Sequence, residues 1–256
     1  MIQVLKNIDQ LKKAIKLWFG KKYKKENFSE KRILLKPNIG YPKPAPYTTS
    51  MEVIKATVEV ITEQVPKEII IGEGSTSKSS ALNNFKIIGL MDKLRDYQIS
   101  YIDFNDYDFE RIVIKNGTYH YLPKILKEVD IRISLPIIKF YFDDNNEIFL
   151  SNALKNYFGL PPKEKYKEAK DSFKRDSLHS DIHQSVVEIY QAVQKYVPFD
   201  LIICDGIDIL LGEGSLGEPY HWGKIILAEG EIEADLKVLE LLKKPLPRYL
   251  RMLTKV

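Results

Sequence analysis

One cysteine, Cys204, stands in a chain of 256 residues. A lone cysteine excludes an internal disulfide framework, a cysteine-built iron–sulfur cluster and a cysteine-rich zinc site within the chain. Cys204 closes the apolar run Leu201-Ile202-Ile203-Cys204 and reads as a small packed hydrophobe. Tryptophan is also scarce. Trp18 and Trp222 are too few to build an aromatic platform for nucleic-acid bases, and the 15 tyrosines are spread along the chain. No apolar run reaches about 18 residues, so no membrane span is expected. The first residues lack a charged start followed by an apolar core, so no secretory signal is expected and the cytoplasm is the expected location. An excess of charge is nearly absent: the net charge is +4. The densest cluster, Lys21-Lys22-Tyr23-Lys24-Lys25, reads as a solvated helix end, so nucleic acid is not an expected partner. Also missing are a G-x-S-x-G, a C-x-x-C, the third glycine of a dinucleotide fingerprint and the Gly-Lys-Ser/Thr of a P-loop.

What is present describes an ordinary globular protein, 44% hydrophobic and 29% charged. Few Cys and Met beside abundant Lys, Glu, Ile and Tyr match a thermophile, archaeal-like composition. Such a length suits one domain, residues 1–256, or a division into two lobes, 1–135 and 136–256. Helical spacing of Ile8, Leu11, Ile15, Trp18 and Phe19 predicts a first helix. Apolar runs at 32–36 and 67–72 read as buried strands, and a helix from Thr49 to about Gln64 lies between them. Thr49 with Glu52 fits a capping box. A helix is expected over about 80–94 and a third strand over 99–104. Residues 111–122 read as a hairpin, with Asn116-Gly117 supplying a type I′ turn. Further strands are expected at 130–135, 200–204 and 224–227, and helices at about 180–196, 232–242 and in the tail. The alternation predicts an α/β fold: a mixed, mostly parallel sheet flanked by helices, with one inserted hairpin. In such sheets ligands sit beyond the carboxyl ends of the strands.

The stretch Leu150 to Leu160 holds one Ser, two Asn and one Lys among apolar residues. As a helix it would bury Leu150, Leu154 and Phe158 and group Asn152, Lys155 and Asn156 on another side. One cation and two amides form a grip for an anion; a solvated helix face ending at Gly159 is the competing reading. Lys36, Asn38, Lys139 and Lys155 could converge, since three of them fall at strand or loop ends. Lysines brought together repel unless an anion sits between them, so a small anionic molecule is the expected partner. A crowded, desolvated Lys can also act as a base or form a Schiff base. The loop Gly72-Glu73-Gly74 follows a strand, and Gly74 can present an amide to an anion or simply make a tight turn. Gly214, in a second Gly-rich loop, has the same two readings. His179 and His183 are spaced for a two-His metal face, but a third ligand such as Asp205, Glu213 or Asp235 would come from afar, and no metal is assigned.

Several short motifs occur in a fixed order. They are Lys36-Pro37-Asn38, Thr48-Thr49, Gly72-Glu73-Gly74, Leu135-Pro136 with Lys139, Leu154-Lys155-Asn156 with Gly159, and Cys204-Asp205-Gly206 with Gly212, Gly214 and Gly217. This ordered set resembles the family catalogued as domain of unknown function 362, over roughly residues 30 to 240. The resemblance implies a fold and a site but no reaction and no cofactor. It places a His near position 179 and marks the Thr48-Thr49 pair as site candidates, and Asp205, at a strand end and followed by Gly, is a candidate from its position alone. Relatives in that family often carry ferredoxin-like cysteine runs; here they are absent, which removes electron transfer through a built-in cluster. Asp235 matches the last Asp of a late family segment. Where an earlier Asp is usual, this chain has Gly230 between Glu229 and Glu231, which weakens a paired-carboxylate mechanism. Three functions share such a site. One is an enzyme of a small phosphorylated or carboxylated metabolite, with His179 or Asp205 moving a proton. The second is a non-catalytic carrier or sensor, and the third is a subunit associated with a redox complex. A homodimer is compatible with all three.

Overall fold

The computed structural model describes residues 1–23, 25–142, 147–172, 174–212 and 217–255. In chain order the elements are β1 (Ile2–Leu5), α1 (Ile8–Lys22), β2 (Arg32–Pro37), α2 (Met51–Thr62), β3 (Glu68–Glu73), α3 (Ala81–Ile87), α4 (Leu90–Lys93) and β4 (Ile99–Asp103). Then come β5 (Phe109–Val113), β6 (Tyr119–Pro123), α5 (Ile125–Glu128), β7 (Ile131–Leu135), β8 (Ile137–Phe142) and β9 (Ile148–Ser151). The chain continues with α6 (Ile182–Tyr196), β10 (Leu201–Leu211), β11 (Glu218–Ala228), α7 (Glu231–Leu242) and α8 (Arg248–Thr254). A nine-stranded sheet runs in the order β1-β11-β10-β7-β2-β3-β4, with β8 paired to β10 and β9 to β8. The β2, β3, β4, β7 and β10 pairings are parallel, and β1 and β11 run antiparallel at one edge. β5 and β6 form the separate inserted hairpin. The expected mixed, mostly parallel α/β fold is therefore present.

The apolar strand runs are buried on both faces, as a parallel sheet covered by helices requires. Successive side chains of a strand point to opposite faces. Ile33 and Leu35 accordingly join one core with Leu11, Ile15, Val53 and Phe85 from α1, α2 and α3. Leu34 joins the other with Val186, Val238 and Tyr249 from α6, α7 and α8, together with the hairpin and residues 150–166.

Some local expectations need correction. Ser50, not Thr49, caps α2, its side chain accepting from Val53 N. Thr49 instead accepts from Asn38 N at 2.8 Å and donates to the Leu135 carbonyl at 2.6 Å, tying three loops together. The hairpin turn has Gly117 alone at positive φ, 86°, so it is a three-residue loop with a left-handed glycine rather than a type I′ turn. Gly89, at φ 77°, splits the expected 80–94 helix into α3 and α4. Asp205-Gly206 does not end its strand; β10 continues past it through a register shift between Gly206 and Asp208. Lys139 lies inside β8, opposite Ser151 of β9, rather than at a strand end.

Candidate functional site

β2, β3 and β7 end side by side, with Lys36 in register with Ser134 and Glu73 closing β3. Lys36 is wholly buried, and its Nζ lies 2.9 and 3.1 Å from the two carboxylate oxygens of Glu73. Ile39 N and Gly74 N also donate to that carboxylate, at 3.1 and 2.8 Å. Burial lowers the Lys36 pKa, and the Glu73 charge opposes that shift. A carboxylate holding one ammonium and two amides is the arrangement that compensates a buried ion pair.

Residues 150–160 build the next layer, though not as one amphipathic helix. β9 supplies Leu150 and Ser151, and Lys155–Gly159 forms a 3-10 helix. Asn152 turns away from the other polar residues, donating to Asp235 at 2.9 Å and to Cys204 Sγ at 3.3 Å. The Asp235 carboxyl also accepts Ala153 N at 2.9 Å and so fixes the turn. Asn156 then points back to the sheet. Its Nδ2 donates to Ser134 Oγ at 2.9 Å and to the Lys36 carbonyl at 3.2 Å. In a 3-10 helix residues three apart eclipse, so Lys155 stacks over Phe158, with Nζ 3.5 Å from the ring centroid.

Glycine is required at two points of close approach. A Cβ on Gly74 would lie 2.1 Å from the Gly159 carbonyl oxygen, and one on Gly159 would lie 1.9 Å from Glu73 Oε1. The two glycines of two separate motifs therefore let the β3 loop and the 3-10 helix meet backbone to backbone. The Gly74 amide is consumed by Glu73, which corrects its expected role as an anion donor.

Above this floor lies a cavity of about 770 Å³. Of the residues expected from sequence, Asn38, Gly74, Lys139, Lys155, Asn156 and His179 line it. Lys36 sits directly behind, bonded to Glu73 and Asn156, which do line it. Thr48, Thr49 and Asp205 do not. Thr48 donates to the Lys43 carbonyl. The Asp205 carboxylate is buried and accepts Ser50 N at 2.6 Å and Ile207 N at 3.2 Å. Its pKa is pushed up to about 6 by burial. With both oxygens committed to backbone away from the cavity, Asp205 anchors the start of α2, which corrects its place among catalytic candidates. Gly214 lies outside the described residues. The His179–His183 pair does not share a helix face: His179 closes a short 3-10 turn and α6 begins at Ile182. His183 is buried, its Nδ1 accepting Tyr249 N at 3.2 Å. Among the described residues no group of three or more His, Cys, Asp or Glu comes together as a metal site.

The cavity is rich in cations. Lys139 Nζ donates to the Tyr47 carbonyl at 2.5 Å, and burial lowers its pKa to about 8. Lys155 Nζ has no hydrogen bond or carboxylate partner among the described residues. Burial pushes its pKa well down, and Arg175, Lys139 and Lys36 push it further. The Phe158 face returns only about 0.5–2 kcal/mol to the ammonium. Arg175 is wholly buried below the rim, donating to the Pro161 carbonyl at 2.5 Å and to Asn105 Oδ1 at 3.2 Å, while its Nη1 has no partner. Burial lowers its pKa to about 10. His179 Nδ1 lies 2.9 Å from the Arg175 carbonyl, which can only accept, so Nδ1 carries the proton. The neutral ring therefore presents a bare Nε2. Burial, followed by Lys155, lowers the His179 pKa and favours that neutral form.

Glu73 and Arg175 are site residues that the sequence patterns did not single out. Glu73 was visible only as the middle of a glycine pair, and Arg175 follows a polar run that reads as a loop.

The family model described as domain of unknown function (DUF362) matches residues 33–240. The chain belongs to this family. No curated protein matches it. Among solved structures, the DUF362 chain is similar to the lactate racemase apoprotein from Thermoanaerobacterium thermosaccharolyticum. The TM-score is 0.55 at 14% identity, covering 94% of this chain and 56% of that one. It is also similar to a protein from Thermotoga maritima, with a TM-score of 0.57 at 12% identity, covering 92% of this chain and 58% of that one. The DUF362 chain thus spans just over half the length of each. At these identities the likeness is one of fold.

Proposed function

We propose that this protein binds a small carboxylated or phosphorylated metabolite in the cavity at the carboxyl edge of its sheet and acts on it as an enzyme. The observation that carries the reading is Lys155: an amine with no anionic partner, set among Lys139, Arg175 and Lys36. Glu73, the carboxylate beside them, is already taken by Lys36 and two amides. An anion entering the cavity is drawn by these cations and relieves the repulsion among them. Asn38 and Lys139 line the same space and complete the grip. The likeness to a lactate racemase apoprotein agrees with a small carboxylate as ligand. His179 favours an enzyme over a carrier, because a bare imidazole nitrogen beside a held anion can take a proton from it.

Isothermal titration with phosphate and with oxalate tests the grip. Lys155→Ala removes one charge-assisted contact, worth about 1.5–3 kcal/mol, so affinity for the better anion falls roughly 10- to 100-fold. Unchanged affinity would remove Lys155, and with it this reading. Once a turned-over ligand is in hand, His179→Ala abolishes turnover while leaving binding nearly intact.

A further inference from the structure

Three lysines converge on this site, and they are not equivalent. Lys36 is locked to Glu73 and Asn156 behind the cavity wall. Lys139 is held by the Tyr47 carbonyl. Lys155 alone has its Nζ directed to no acceptor among the described residues; it rests on the face of Phe158 and lines the cavity. A cation in this position is half-buried and is repelled by Arg175, Lys139 and Lys36, while Glu73 pulls the other way. The neutral amine carries no such penalty, and its nitrogen lone pair is then free.

We propose that Lys155 is a Schiff-base lysine whose amine condenses with the carbonyl carbon of a small 2-oxo acid held in this cavity. The inference rests on the anion-binding reading, and it adds the class of substrate and the bond that forms. The carboxylate of the 2-oxo acid answers the cationic lining provided by Lys139 and Arg175. Its adjacent carbonyl is the electrophile that a neutral amine attacks. A simple phosphate or a plain carboxylic acid satisfies the charges but leaves the amine without a reaction.

The step balances without an oxidant or reductant. The Lys155 lone pair forms a C–N bond as the carbonyl π pair moves to oxygen, which takes up a proton. The nitrogen gives up a proton. The carbinolamine hydroxyl is then protonated and leaves as water as the C=N bond closes. The nitrogen, left as an iminium, then releases its second proton, so that amine plus carbonyl becomes imine plus water. His179 sits beside this reaction: its ring meets Phe158 edge-on at 5.6 Å, on the same aromatic side chain that supports Lys155. With Nδ1 donating to the Arg175 carbonyl, Nε2 is the atom that accepts and returns the proton.

The test uses the full chain, glyoxylate as the smallest 2-oxo acid, and cyanoborohydride to trap the imine at neutral pH, read by intact mass and peptide mapping. One adduct per chain is expected on Lys155. It should form at least about tenfold faster than on the surface lysines, since each unit by which an amine's pKa falls multiplies its neutral fraction by about ten, and ahead of Lys139, whose Nζ is tied to the Tyr47 carbonyl. Oxalate, which fills the anion grip but has no ketone or aldehyde carbon, should protect Lys155 in the wild-type protein. Lys155→Arg keeps a cation and should lose the adduct. Adducts scattered over surface lysines, or no adduct, overturn the Schiff base. Thermal melting separates that failure from failure of the anion reading. If oxalate or phosphate still raises the melting temperature, the grip stands and only the imine falls. If neither does, the grip falls as well.

Discussion

Lys36 and Lys155 share a charge and a neighbourhood but respond oppositely to removal. Lys36 compensates Glu73 in a dry interior, so Lys36→Met leaves a buried carboxylate without its cation. That loss costs about 3–5 kcal/mol and should appear in urea denaturation. Lys155 has no anionic partner to lose, and a Met side chain can keep packing on Phe158, so Lys155→Met should leave the ligand-free protein at least as stable as wild type while weakening oxalate or phosphate binding. A large destabilisation by Lys155→Met would show a hidden anionic partner and would refute the unpaired amine. At this scale the sequence was informative where residue types cluster locally, as in Leu154-Lys155-Asn156. It was silent on Glu73, whose role arises only when β2 brings Lys36 alongside, and on Arg175, which reaches Gly74 and Asn105 across more than 60 residues of chain.

The turn that carries Lys155 and Asn156 is held by a carboxyl on another element. Asp235, on α7, accepts Asn152 Nδ2 and Ala153 N, and it meets Tyr249 of α8 at 3.2 Å. Tyr249 has one hydroxyl hydrogen and also lies 2.9 Å from the Leu150 carbonyl. If that hydrogen serves Leu150, the contact with Asp235 needs a proton on Asp235, and burial indeed raises the Asp235 pKa to about 7. Asp235→Asn mimics the protonated acid, so it should fold well and bind oxalate like wild type. Asp235→Ala orphans a buried amide and a backbone N–H, each worth about 1–3 kcal/mol, and should both destabilise the fold and loosen anion binding. Wild-type melting and binding in Asp235→Ala would show that the turn holds itself. The sequence offered this residue only through family resemblance, because a helical Asp looks like a surface residue until its neighbours are placed. The 3-10 form of residues 155–159 was equally hidden, since apolar spacing of three to four suits either helix.

For the whole molecule, buried titratable groups set a pH profile. Asp205 and Asp235 have folded-state pKa values raised to about 6 and about 7. Between about pH 4, where the unfolded chain ionises these groups, and pH 7 the native state binds more protons, so their contribution falls as pH rises. Lys139 is lowered to about 8, so the unfolded chain binds more protons from there to about 10.4, and stability recovers with rising pH. Melting of the ligand-free protein should therefore be lowest near pH 7–8 and higher at both pH 5.5 and pH 9.5. Asp235→Asn should flatten the acid limb, and saturating phosphate the alkaline limb. A profile with its maximum at pH 7–8 would contradict these environments. The parallel αβ framework was readable because buried strands are continuous apolar runs and helices repeat every three to four residues. β1 and β8 escaped notice. β1 is four residues long and pairs with β11 more than 200 positions away, and β8 follows Pro136 directly, where a strand looks finished.

Gly74 and Gly159 meet with no side chain between them, and this contact acts as a fixed gauge for the inner end of the cavity. Neither wall can yield to a bulkier ligand without parting the Lys36–Glu73 pair behind it. Selectivity by size is thus built into the backbone at the inner end and into replaceable side chains at the mouth. Anyone retuning this protein for a longer substrate has Tyr41, Phe142 and Lys174 to work with, and a floor that will not move.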